Sequence, residues 1–117
     1  MRKNVIKDKS FSFAIKVVDC YKDLAQEKNE YVMSRQLLRS GTAIGALYRE
    51  AEFAESKKDF IHKLSIAQKE CNEALYWLDL LHETNYLDKE IYTKLNNKAT
   101  SLIKLLTSII KTTKNNY

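Results

Sequence analysis

Gln36 to Leu81 reads QLLRSGTAIGALYREAEFAESKKDFIHKLSIAQKECNEALYWLDLL, and two helical patterns meet inside it at a cap. In the first, Met33, Leu37, Ser40, Gly41, Ile44, Leu47, Tyr48 and Ala51 recur at helical spacing. In the second, Phe60, Leu64, Ala67, Cys71, Ala74, Leu75, Leu78 and Leu81 do the same. Between them, Ser56-Lys57-Lys58-Asp59 resembles a capping box with Asp in place of Glu or Gln, so the second helix is predicted to start there after a very short turn. Gly41 and Gly45 lie one turn apart among Ser40, Ala43 and Ala46. Each helix-interior glycine costs about 1 kcal/mol relative to alanine, which points to a close helix approach. A phosphate-cradling loop is the other reading of such glycines, but no strand pattern precedes them and no Gly-Lys-Ser/Thr follows.

Outward from this hairpin, the chain carries one helical pattern on each side. Helix 1 is predicted over residues 10–28, with Ser10 as N-cap and Asn29 as stop. It displays two apolar stripes: Phe11, Ala14, Ile15, Val18, Tyr21 and Ala25 in one, Phe13, Val17, Cys20 and Leu24 in the other. One stripe suffices for a monomeric bundle, so the second meets either a neighbouring helix or another subunit; Phe13, Val17 and Leu24 are the candidate oligomer interface. Helix 2 is predicted over 33–54, helix 3 over 57–84, and helix 4 over 88–113 from an Asp88 cap. Helix 4 presents Ile91, Leu95, Ala99, Leu102, Leu106 and Ile109. Four amphipathic helices, each about 30 to 40 Å long at the usual rise and joined by short connections, predict a single all-α domain across residues 1–117, an antiparallel up-down-up-down four-helix bundle.

The chain has 117 residues, no proline, two glycines and a net charge of +5. Its length fits one core, and the basic balance makes a polyanionic partner plausible. Cys20 and Cys71 both stand among apolar residues, as small buried hydrophobes do. No secretory pattern follows the N-terminal basic residues, and no run approaches the roughly 20 apolar residues that span a bilayer, so a cytoplasmic location without membrane contact is expected.

Charged residues flank the apolar stripes of the hairpin: Gln36, Arg39, Ala43 and Glu50 on helix 2, and Lys63, Ile66, Glu70, Glu73 and Trp77 on helix 3. With the turn at Ser56, Glu50 faces Lys63 and Arg39 faces Glu70 and Glu73, pairs of opposite sign that would set the hairpin register. A polar site is the alternative. Asp79-x-x-His82 imitates the acid-x-x-His spacing of di-metal bundles, but a second copy and inward Glu residues on helices 1 and 4 are missing, so neither metal nor cofactor is expected. His62 and His82 share one helix with no serine or cysteine spaced to form a hydrolytic set, and an enzyme is not expected. Tyr76 and Trp77 could stack on bases or simply pack.

After Glu90 the chain has no acidic residue but contains Lys94, Lys98, Lys104, Lys111 and Lys114. The first four fall within roughly 140° on a helical wheel, an outward stripe. Either this is a solvated face or, with Arg2, Lys3, Lys7 and Lys9 in support, it contacts phosphates.

The run Gln36-Leu37-Leu38-Arg39-Ser40-Gly41-Thr42-Ala43-Ile44-Gly45-Ala46, followed by Glu50-Ala51, Ser56, Phe60, Lys63, Ala67, Glu70, Glu73 and Trp77-Leu78, resembles the four-helix-bundle family encoded in bacterial 23S rRNA intervening sequences. One departure falls at Leu47-Tyr48, where a small polar residue and then an aliphatic one are expected. That family is related in fold to the accessory proteins of diversity-generating retroelements, basic homopentamers that bind nucleic acid and a reverse transcriptase. The resemblance implies a homopentamer, a role near structured RNA or DNA, a possible protein partner such as a reverse transcriptase, and no enzymatic activity. A protein-protein assembly module with no direct nucleic-acid role is the competing expectation.

Overall fold

The computed structural model describes residues 4–116, and all its regular structure is helical: α1 Val5–Gln26, α2 Val32–Ala51, α3 Lys57–Glu83 and α4 Lys89–Asn115. The helices form an antiparallel up-down-up-down bundle of 49 × 27 × 21 Å. Each helix packs on its chain neighbours and α1 closes the ring against α4, while helices on opposite corners of the ring do not approach one another.

Local chemistry sets each helix end. α1 starts earlier than predicted, because Asn4 rather than Ser10 is the N-cap and accepts from the Lys7 N–H at 3.1 Å. Ser10 is instead buried inside the helix, its hydroxyl donating to the Lys7 carbonyl at 3.2 Å. Past the end of α1, Asn29 adopts φ 54°, a left-handed conformation that Asn tolerates better than most residues. α2 is capped from outside by Glu30, whose buried carboxylate accepts from the N–H groups of Val32, Met33 and Ser34 at 3.1, 3.2 and 2.7 Å. It stops at Ala51, short of the predicted residue 54. Ser56 caps α3 by accepting from the Asp59 N–H at 3.0 Å, while Asp59 reaches back to the N–H of Glu55. At the other end of α3, Asn85 takes φ 69° and the N–H of Tyr86 closes onto the Leu81 carbonyl at 2.9 Å, the 6→1 bond of a Schellman turn. Asp88 then caps α4 through the Ile91 N–H at 2.8 Å.

The core reverses the two stripes of α1. Phe13, Val17 and Leu24, expected at an oligomer interface, have zero exposure inside the bundle, whereas Phe11 and Ile15 are 53% and 49% exposed. Both stripes are apolar, so helical periodicity alone does not choose between them; the fit against α2 does. A Cβ at Gly41 would lie 2.9 Å from both methyl groups of Val17, so the missing side chain admits the valine and turns its stripe inward. On α4 the inner face ends at Ile110 rather than Ile109, and Ile91 is partly outside. The buried serines satisfy their hydroxyls on backbone carbonyls one turn back: Ser34 donates to the Glu30 carbonyl at 2.7 Å and Ser40 to the Gln36 carbonyl at 2.9 Å.

The two ends of the described chain lie at one pole. Asn4 donates to the Tyr48 hydroxyl at 3.0 Å, so the aromatic residue that departs from the expected pattern ties down the start of α1. The Asn116 carbonyl accepts from Lys57, on the far side of the α2–α3 turn.

Candidate nucleic-acid interface

Charge is divided unequally around the bundle. On the α2–α3 side, Arg39 bridges two carboxylates, reaching Glu70 at 2.8 Å and also Glu73, while Lys63 meets Glu50 at 3.2 Å. The Arg39 side chain is 50% exposed and that of Glu50 55%, so these are surface contacts worth about 0.2 to 1 kcal/mol each. They mark the hairpin register rather than a buried polar site. Glu73 also accepts from the Trp77 indole N–H at 3.1 Å, and this bond, followed by Arg39, holds its carboxyl below the usual carboxylate range. With its N–H so engaged and its ring packed against the core, edge-on to Tyr76 at 5.0 Å, Trp77 is a packing residue; Tyr76 stays exposed.

Asp79 and His82 serve the α3–α4 contact. The Tyr92 hydroxyl donates to Asp79 at 2.6 Å, the His82 ring stacks on Tyr92 at 4.3 Å, and His82 Nδ1 lies 3.1 Å from the Leu87 carbonyl, which fixes the proton on that nitrogen. The Asp79 bond raises the Tyr92 phenol above its ordinary value. His62 is exposed elsewhere on α3. Among the described residues, no group of three or more His, Cys, Asp or Glu is placed to hold a metal ion. Among the described residues, no helix is long and apolar enough to cross a membrane.

The basic candidates separate into two sets. Lys94 and Lys98 border the seam between α4 and α1, while Lys104 and Lys111 are exposed further round α4. Lys94 is 3.4 Å from Glu90 and Lys7 is 3.2 Å from Glu52. Lys98, Lys104 and Lys111 form no ion pair among the described residues. Lys3 lies outside the described residues. The seam itself escapes a reading of single helices: Lys9, Ser12, Asn97 and Ser101 converge there with Lys98, and only the antiparallel register of α1 against α4 brings them together. On the adjoining face the exposed stripe of α1 runs beside α2, where the Arg49 guanidinium sits 5.2 Å above the Phe11 ring.

Comparison with known proteins adds a relationship. The profile of the family described as 23S rRNA-intervening sequence protein matches residues 2–108. The chain is also similar to a crystal structure of a protein of unknown function from the S23 ribosomal protein family of Bacteroides thetaiotaomicron. The identity is 57%, 91% of this chain and 98% of that chain are covered, and the TM-score is 0.90. No curated protein matches the chain.

Proposed function

We propose that this chain, which belongs to the 23S rRNA-intervening sequence protein family, is a non-enzymatic, oligomeric basic protein that binds structured RNA or DNA through phosphate contacts. The setting is an rRNA intervening sequence or a retroelement-like one, as the resemblance to retroelement accessory proteins suggests. The observation that carries this reading is the division of charge. Glu50, Glu70 and Glu73 on the α2–α3 side are matched by Lys63 and Arg39, whereas Lys98, Lys104 and Lys111 on α4 have no ion-pair partner among the described residues. The net charge of +5 is therefore concentrated where a polyanion can use it.

Oligomerisation belongs to the same reading. Phe11 and Ile15 expose apolar surface along α1, which a second copy could cover, and a homopentamer is the number that the resemblance favours. A ring of copies lines up several basic edges along one nucleic acid, so weak contacts add through effective concentration.

Binding of duplex DNA and of structured RNA, measured across a salt series, tests the proposal. The logarithm of the association constant should fall linearly with that of salt, by about 0.9 per phosphate neutralised on duplex DNA and about 0.7 on single strands. Changing Lys94, Lys98, Lys104 and Lys111 together to Gln should flatten the slope while leaving mass and melting unchanged. Absence of retention even at low salt would overturn the reading in favour of a protein-protein assembly module.

A further inference from the structure

Two clefts lie along the α1–α4 seam, and they differ in charge. The one of about 250 Å³ has Lys16 and Lys94 at its edge, but Asp19 and Asp23 as well, so its charges offset over a floor that includes Cys20 and Leu95. The one of about 220 Å³ is lined by Lys9, Ser12, Asn97, Lys98 and Ser101, with no carboxylate and no large apolar side chain among the described residues. Neither Lys9 nor Lys98 forms an ion pair among the described residues. Lys9 already spans the seam, its ammonium 3.4 Å from the Ser101 hydroxyl. Lys9 and Lys98, from different helices, thus line one cleft with two hydroxyl-bearing residues and one amide, all groups able to donate.

We infer that this cleft is a phosphate seat, filled by a phosphodiester of the bound nucleic acid. The inference rests on the nucleic-acid reading above and narrows it: the contact that fixes the strand lies in the seam, not along the exposed stripe. A lysine ammonium is a compact charge suited to phosphate oxygens, and the serine hydroxyls and the Asn97 amide can each donate to a further oxygen. Lys98 is half-buried, so its stem is already held against the bundle and less of its freedom is lost on binding. Lys104 and Lys111 are exposed on the same helix and supply only diffuse attraction.

The test compares K9Q/K98Q with K104Q/K111Q, which remove equal charge. Each is titrated with a labelled twelve-nucleotide single-stranded RNA over a salt series, and with inorganic phosphate followed at the Asn97 side-chain amide by NMR. Melting temperature and mass serve as controls. The seam pair should weaken RNA binding about tenfold or more and flatten the salt slope by about 0.7, while the stripe pair should change both far less. Phosphate should shift the Asn97 amide in the wild type and not in K9Q/K98Q. Equal losses in the two pairs would overturn the seat while leaving nucleic-acid binding standing. If the wild type binds neither this strand nor structured RNA or duplex DNA, the broader reading fails and the phosphate titration decides the seat alone. A shift lost in K9Q/K98Q upholds it for another phosphorylated ligand, and no shift overturns it.

Discussion

Glu73 receives donors from two helices: the Trp77 indole N–H one turn along α3, and the Arg39 guanidinium from α2. Both favour the charged carboxylate, and its pKa lies below the ordinary 4.5. The sign follows from linkage. A lowered folded value means the stabilisation is fully present above the unfolded value near 4.5 and is lost as pH falls through the folded one. A carboxyl-carbon NMR titration of Glu73 should therefore give a midpoint below 4.5. W77F and R39Q should each move that midpoint upward; a midpoint insensitive to both would separate the carboxylate from these donors. This cluster is legible in the sequence, since residues equally far from the Ser56 cap face each other across a hairpin. Glu30 is not. Sequence rules look for a short polar side chain at the cap itself, and a glutamate that reaches forward to three backbone N–H groups from outside the helix leaves no spacing signal.

For whole helices, the two glycines of α2 make separate predictions. At Gly41 an added methyl group meets both methyls of Val17 at 2.9 Å in a core with no exposure, and a β-branched side chain has little room to turn aside. At Gly45 the nearest atom is the Ser10 hydroxyl at 3.3 Å, on a partly open face. G41A should destabilise by about 1 to 3 kcal/mol despite the helix propensity it gains, because overpacking outweighs it. G45A should lie within about 1 kcal/mol of neutral, since the same propensity gain meets a milder contact. Urea unfolding of both variants checks the contrast, and equal effects would remove the close α1–α2 approach as the reason for Gly41. The close approach itself can be read from a glycine pair in a helix. Which stripe of α1 fills it cannot, because Phe11-Ile15 and Phe13-Val17 are equally apolar and only the neighbouring helix breaks the tie.

At the scale of the molecule, that reversal relocates the test of assembly. V17E would place a charge in a fully buried site and should unfold the bundle. I15E, on the exposed stripe, should keep helix content and melting near wild type while reducing the mass in solution to that of one chain. Light scattering and circular dichroism on the two variants separate these outcomes, and an I15E protein of unchanged mass would move assembly to another face. Four helices and their order are legible in the sequence because caps and periodicity are local. The seam between α1 and α4 is not, because nothing local records how the first helix meets the last. The position of the chain ends bears on how the protein can be handled. Asn4 is tied beside Tyr48 and Asn116 beside Lys57, so both ends of the described chain lie next to the α2–α3 turn. A tag or fused domain attached at either end would crowd that pole alone and leave the turns around Asn29 and Asn85 bare. A short peptide joining the two ends, with the backbone opened at one of those bare turns, should yield a circularly permuted bundle with the same packing.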